Sequence, residues 1–199
     1  MSASLETIAY YDRNASGFAG DTANVEFGAI QRAFTAMLPA DGRILDLGCG
    51  SGRDTLAFLR AGFKVDAVDG SVELARIAGA ATGVAVECAL FEDHDPRGPY
   101  DGIWACSSLL HVERAGLPKT ISKYAAALKP RGTFYMSFKL GGFEGMRNGR
   151  WFTDMDEPRF RELIGKVACL DIARIEVTAD VRPGRGSERW LNAWCVKRA

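Results

Sequence analysis

The sequence predicts an α/β fold, a doubly wound parallel sheet with helices on both faces. Two observations carry that expectation. Short apolar, β-branched runs alternate with helical segments at the pitch of strand–helix crossovers. The first of those runs ends in a glycine-rich turn that leads directly into a helix, and ligands of doubly wound sheets bind at that place.

Residues 1–40 read as two helices. Ser4 is placed to cap a short one carrying Tyr10 and Tyr11. Asn24 is placed to cap a second, with Val25, Phe27, Ile30, Phe34, Met37 and Leu38 near helical spacing and Pro39 ending it. Strands are then expected at RILDL (43–47), FKVDAV (63–68), VAVEC (84–88), GIWAC (102–106) and GTFYMSF (132–138), with helices over 55–61, 71–78 and 117–128 between them. Beyond residue 150 the pattern predicts a helix over 157–166, a strand over 170–178 and a last strand over 189–197. The loop joining those strands, ADVRPGRGSE, is rich in Arg, Gly and Pro. No repeat, low-complexity stretch or linker divides the chain.

At 199 residues the chain has the length of one domain. Its 47% hydrophobic and 25% charged residues exclude disorder, collagen-like repeats and coiled coil. Basic and acidic residues number 25 each, so no global field draws the protein to nucleic acid or an anionic membrane, and neither is expected as a partner. Residues 1–100 carry a net −6 and residues 101–199 a net +6. That tilt is modest; it is compatible with an anionic small-molecule substrate, but a solvated surface is the reading it favours. Five scattered cysteines with no C-x-x-C pair fit neither a disulfide framework nor a zinc site, and two histidines make no metal site. With no signal-peptide pattern and no apolar run near the ~20 residues of a membrane span, a soluble cytoplasmic protein is expected.

The most informative stretch is Ile44–Asp54, ILDLGCGSGRD. A strand ending in glycines lets the backbone turn tightly and approach a ligand, with the next helix's free N–H groups facing it. The dinucleotide spacing G-x-G-x-x-G/A fails, because the sixth residue from Gly48 is Arg53 and from Gly50 is Thr55. No Gly-Lys-Ser/Thr follows, so it is not a P-loop. Asp69 ends the second strand, where a carboxylate can accept two hydrogen bonds from a ribose diol. The same carboxylate is also placed to cap the helix starting at Ser71.

Four motifs in order, ILDLGCGSGRD, VDAVDGS, GIWACSSLLHV and LKPRGTFYMSF, resemble those of class I S-adenosylmethionine-dependent methyltransferases over about residues 40–140. The glycine loop leading into Arg is similar to that of the small tellurite-resistance type. The resemblance implies a Rossmann-like, mostly parallel seven-stranded sheet with an antiparallel last strand beside the fifth parallel one. It implies a single methyltransferase domain over 1–199, with 1–40 a helical lid segment and 41–199 the core. It also implies S-adenosyl-L-methionine as cofactor and S-adenosyl-L-homocysteine as product. Gly48, Cys49, Gly50 and Gly52 would pass under the methionine part, with Asp46 orienting the loop or meeting the amino group. Asp69 and the adjoining Gly70 would hold the ribose, and Phe91, Glu92 and Asp93 would surround the adenine. Arg53 would turn back to the cofactor's carboxylate or pair with Asp12 of a closing lid. Cys106 and Tyr11 complete the cofactor set.

Methyl transfer needs an in-line nucleophile, alignment and exclusion of water. A base is required only if the nucleophile loses a proton. His111 and Ser107 are the candidates after the fourth strand, and His111 reads equally as a histidine bonding only to backbone. Cys106 lacks the preceding Pro of cytosine-modifying enzymes and reads as a small strand residue. The Asn/Asp-Pro-Pro-aromatic signature of amino-group methylation of DNA is missing. Ser108, Lys139, Arg182, Arg185, Trp190 and Asn192 are the candidate substrate contacts, since Arg forks suit oxyanions. Tyr10, Tyr11 and Phe18 suit a lid. The function expected is methylation of a small molecule by a monomer or homodimer. An RNA or protein methyltransferase, a non-catalytic cofactor-binding protein and a nicotinamide oxidoreductase are the alternatives.

Overall fold

The computed structural model describes residues 2–23, 25–182 and 184–199. Helices α1 (Ala3–Thr22) and α2 (Gly28–Thr35) precede β1 (Arg43–Leu47), α3 (Arg53–Arg60), β2 (Lys64–Asp69), α4 (Val72–Thr82) and β3 (Val86–Cys88). Then come β4 (Tyr100–Ala105), a 3-10 turn at Leu109–His111, α5 (Leu117–Ala126) and β5 (Leu128–Lys139). A hairpin, β6 (Glu144–Arg147) and β7 (Arg150–Thr153), leads to α6 (Glu157–Gly165), β8 (Leu170–Ala179) and β9 (Arg189–Lys197).

Seven strands form one sheet in the order β3-β2-β1-β4-β5-β9-β8. All pairs from β3 to β5 are parallel, and β9 runs antiparallel between β5 and β8, as the motif resemblance implied. The chain winds outward from β1 through β2 to β3, then returns to β4 on the other side. That reversal opens a crevice at the carboxyl ends of β1 and β4.

Alternation along the strands explains the two-sided core. Leu45, Leu47, Ile103, Phe134, Met136 and Phe138 face α5 and α6, meeting Ile121, Tyr124, Phe160 and Leu163. The intervening Ile44, Trp104, Tyr135 and Trp194 face Phe34 of α2 and Phe58 of α3. Trp104 and Tyr135 stack at 4.0 Å between ring centres. Trp194 is wholly buried, whereas Trp190, four residues earlier, is half-buried at the crevice.

Several boundaries differ from expectation. Ser2, not Ser4, caps α1, accepting from the Leu5 amide, and the helix runs twenty residues. The expected cap Asn24 lies outside the described residues, and α2 starts at Gly28 after Phe27. Helix α5 stops at Ala126 because Pro130 disfavours helical backbone before it, and β5 begins at Leu128. The β6–β7 hairpin was not expected. Its turn is Asn148-Gly149, both left-handed (φ 51° and 77°), with Arg147 paired to Arg150. Two such residues make the turn that matches strand twist. Among the described residues no helix is long and apolar enough to cross a membrane.

Gly102 of β4 lets α2 sit against the sheet: a Cβ there would lie 2.6 Å from Phe34 Cζ. Gly102→Ala is expected to destabilise by about 1–3 kcal/mol through overpacking. Combining it with Phe34→Leu should cost less than the sum of the two single changes in urea unfolding. Strict additivity would mean that α2 does not rest on Gly102.

Candidate functional site

The crevice is a cavity of about 510 Å³ floored by the glycine loop after β1. That size lies within the range of small-molecule sites. Gly48, Gly50 and Gly52 hold φ of +79°, +56° and +81°, a region that side chains disfavour. A Cβ on Gly48 would lie 2.4 Å from Ser108 Cβ, and one on Gly50 would lie 3.3 Å from Phe18. Gly48 and Gly50 therefore line the cavity without side chains, and Cys49 between them has its side chain packed with Ala67 and Ala78. Gly52 does not line the cavity: it starts α3 with its Cα face against Ala78 of α4.

Asp69 holds this loop. Its carboxylate accepts from the Gly50 amide at 2.8 Å and from the Ser71 amide at 2.9 Å. Burial raises its pKa, and those two N–H donors counter the rise. A carboxylate has about four acceptor sites. Two are used, which leaves acceptor sites free; the cap of α4 is Ser71, whose hydroxyl accepts from the Leu74 amide at 3.1 Å. Asp46 lies under the loop instead of lining the cavity; Thr55 Oγ1 donates to it at 2.6 Å, which fixes the start of α3. Burial, together with the Asp54 charge, pushes its pKa up. It orients the loop and does not reach the cavity where an amino group would sit.

Beyond Asp69 the cavity is lined by Gly70, Leu74, Phe91 and Ile8, an apolar wall. Glu92 and Asp93 are exposed and outside it; the Glu92 carbonyl is turned to Lys123 Nζ, so the expected polar adenine contacts are not at this wall.

Helix α1 roofs the cavity. Asp12 accepts from Ser71 Oγ at 2.6 Å, Thr7 Oγ1 accepts from the Trp151 amide at 2.9 Å, and Phe18 rests on Gly50. Asp12 is thereby engaged at α4, not with Arg53. The Arg53 guanidinium forks onto Asp54 with both contacts at 2.8 Å and lies 4.7 Å over the Phe27 ring. Asp54 also accepts from Trp104 Nε1 at 2.8 Å and Gln31 Nε2 at 2.6 Å. Arg53 lines the cavity, yet its fork is committed to a buried carboxylate.

At the end of β4, burial pushes the Cys106 thiol up to about 12, so it stays protonated and is no nucleophile at neutral pH. The Ser107 amide donates to Ser137 Oγ, and its own hydroxyl, at the cavity wall, lies 3.4 Å from the same Ser137 oxygen. Ser108 is used differently from expectation. Its hydroxyl donates to the Leu47 carbonyl at 2.6 Å and ties β4 to β1. His111 Nδ1 lies 2.6 Å from the Trp151 carbonyl, so Nδ1 carries the proton and donates it. Nε2 is then the acceptor for the Tyr11 hydroxyl at 2.9 Å. Burial lowers the His111 pKa to about 4, with Arg150 nearby acting the same way, and burial raises that of Tyr11. The pair is neutral, with the tyrosine proton directed at the histidine.

The expected substrate contacts divide. Trp190 lines the cavity and donates through Nε1 to Asp180 at 3.0 Å. Lys139 pairs with Glu188, and Arg185 lies 3.7 Å from the same carboxylate. Arg182 forks onto Asp180; burial opposes that charge, but the hydrogen bonds from Arg182 and Trp190 prevail and hold its pKa at about 2. Asn192 is buried, accepting from the Tyr135 hydroxyl at 2.7 Å and donating to Thr178 at 3.0 Å, so its amide is spent on the sheet. Sequence reading missed Arg147, Arg150 and Phe152, which the hairpin brings to the cavity. The Asn148-Gly149 pair between Arg147 and Arg150 was the available signal.

A family model described as a methyltransferase domain matches residues 21–171. The ubiquinone biosynthesis O-methyltransferase of Rhodopseudomonas palustris is 32% identical over 95 residues, 45% of this chain and 37% of that protein. The chain thus aligns with well under half the length of that curated relative. Two solved structures are similar in fold. The 1,6-didemethyltoxoflavin-N1-methyltransferase of Burkholderia thailandensis, with its substrate and S-adenosylhomocysteine bound, superposes with a TM-score of 0.74 at 23% identity over 99% of this chain and 88% of that one. Magnesium protoporphyrin IX methyltransferase of Synechocystis, with S-adenosylmethionine bound, gives 0.75 at 17% identity over 100% and 98%.

Two outcomes follow from the buried charges. Arg53→Met removes the counter-charge of Asp54 and should destabilise the ligand-free protein by on the order of 3 kcal/mol; an unchanged urea midpoint would free Arg53 for another role. His111 resists protonation when folded but protonates near 6.5 when unfolded. Its contribution is therefore present above pH 6.5 and lost as pH falls toward 4, about 2 kcal/mol by pH 5. In His111→Gln the loss of stability between pH 7 and pH 5 should shrink by that amount, and an identical pH profile would contradict it.

Proposed function

The chain belongs to the methyltransferase-domain family, and from that premise we propose that it transfers the methyl group of S-adenosylmethionine to a small-molecule acceptor, yielding S-adenosylhomocysteine. The observation that carries this reading is the bare-backbone floor of the cavity with Asp69 beside it. Gly48, Cys49 and Gly50 would lie under the methionine part. Asp69 would use its remaining acceptor sites on the ribose hydroxyls. Gly70, Leu74, Ile8 and Phe91 would enclose the adenine. The cofactor, when bound, supplies an electrophilic sulfonium methyl group for in-line displacement.

What this chain's residues do is hold, align and keep dry. The roof of α1, with Phe18 over the loop and Tyr11 over His111, excludes water from the reacting centre. His111 is a weak base at neutral pH. Its Nε2 accepts the hydrogen bond of the Tyr11 hydroxyl, and the Tyr11 oxygen accepts in turn from Arg150 Nη1 at 3.3 Å. The pair therefore positions the acceptor more than it deprotonates it. An acceptor already nucleophilic at neutral pH fits that arrangement, and Ser107 adds a hydroxyl at the same wall. The glycine loop leading into Arg53, similar to that of the tellurite-resistance type, keeps chalcogen oxyanions among the acceptors to be screened, alongside thiols.

Asp69→Ala should weaken S-adenosylhomocysteine by about 1.5–3 kcal/mol, the range for hydrogen bonds to a charged group. Gly50→Val should abolish binding, because the branched side chain meets Phe18 and strains a left-handed backbone. Calorimetry reads both. Unchanged affinity in a folded Gly50→Val would remove the cofactor from this loop, and labelled-methyl transfer to no acceptor class would argue against catalysis.

A further inference from the structure

Six cationic side chains line the cavity: Arg53, Lys139, Arg147, Arg150, Arg182 and Arg185. Among the described residues five of them have a carboxylate partner, Asp54, Glu188, Asp154, Asp180 and Glu188 respectively. Arg150 has none. Its one hydrogen bond is from Nη1 to the Tyr11 hydroxyl at 3.3 Å, and its Nε is buried without a partner. A guanidinium offers five N–H donors in a fixed plane. Nε is closed off from the cavity, but Nη2 makes no hydrogen bond among the described residues and is not enclosed, so the Nη edge is the part of the fork that a ligand in the cavity can reach.

The side chain is also held in place. The guanidinium carbon lies 4.5 Å from the centre of the Tyr10 ring, 5.2 Å from Phe152 and 5.5 Å from Tyr11. Ring faces attract the cation without neutralising it. Its backbone is fixed by the Asn148-Gly149 turn and by the neighbouring Trp151 amide bonded to Thr7 of α1. A preorganised, uncompensated planar cation recognises a planar anion, with two parallel hydrogen bonds to a carboxylate.

We propose that Arg150 is the anion receptor of this cavity and that it reads a carboxylate carried by the methyl acceptor. The inference rests on the methyl-transfer reading of the same cavity and narrows its substrate class to small carboxylic acids. Arg150 stands beside Tyr11, whose hydroxyl bonds His111, so an acid docked there has its remaining atoms beside the acceptor wall. The expected anion contacts Arg182 and Arg185 are paired within the chain, which leaves recognition to the hairpin.

The test titrates the protein saturated with S-adenosylhomocysteine against two acid–amide pairs, benzoate with benzamide and acetate with acetamide. In the parent, at least one acid should bind at least tenfold more tightly than its amide. That preference should vanish in Arg150→Met and survive in part in Arg150→Lys, while the dissociation constant for S-adenosylhomocysteine stays within twofold in both. No acid preference in the parent, or a preference that survives Arg150→Met, overturns the proposal. So does a tenfold loss of S-adenosylhomocysteine with unchanged 5′-methylthioadenosine, which assigns Arg150 to the cofactor's own carboxylate. If S-adenosylhomocysteine does not bind the parent, the methyl-transfer reading fails instead. The acid–amide comparison on the ligand-free protein then still decides for or against the receptor.

Discussion

Between β1 and α3 the backbone passes through three left-handed conformations in five residues, and the cavity above depends on that path being kept. Glycine makes the path accessible, and the Asp69 carboxylate at the end of β2 holds its midpoint by accepting the Gly50 N–H, beside the Gly48 and Cys49 amides bonded to the Val68 carbonyl. The loop is thus tied to the end of the strand that lies beside β1 in the sheet. The absence of side chains that permits the turn also exposes the backbone, so the conformational requirement and the binding surface are the same feature. Ser108 fills the space a Cβ on Gly48 would take, and by bonding the Leu47 carbonyl it brings β4 into the same arrangement.

Around that floor, charge is almost everywhere answered locally. Asp54 gathers Arg53, Trp104 and Gln31; Asp180 gathers Arg182 and Trp190; Glu188 takes Lys139. Such pairs return little net stability beyond the cost of desolvating them, but they fix geometry at the rim. Helix α1 closes the top by polar contacts at Asp12, Thr7 and Tyr11 rather than by a broad apolar face, and only two of its residues, Thr7 and Ala15, are buried. A roof held this way is drawn from the weaker end of the local stability range.

The fold was legible where burial on both faces made each strand a run of apolar, β-branched residues, and β1 matches its expected span residue for residue. The loop was legible because its glycines serve conformation, which leaves a spacing in the sequence. Ser108, Asn192 and Arg182 were marked correctly as lying at strand ends or on the last hairpin. Their hydroxyl, amide and guanidinium are nevertheless consumed by Leu47, Tyr135 and Asp180, partners that the periodicity of a single strand cannot reveal. Arg53 with Asp54 was hidden similarly, since adjacent residues at a helix start rarely face each other. Arg150 escaped because its importance is relational. Among the described residues it is the cavity cation left without an acid, which emerges only when the other five are seen paired.

The most direct test of the account is a crystal structure of the S-adenosylhomocysteine complex. The account predicts the ribose hydroxyls within hydrogen-bond distance of the Asp69 carboxylate, the adenine against Phe91 and Leu74, and the sulfur facing the half of the cavity that holds Tyr11, His111 and Arg150. A ribose away from Asp69, or a sulfur turned from that half, would contradict it.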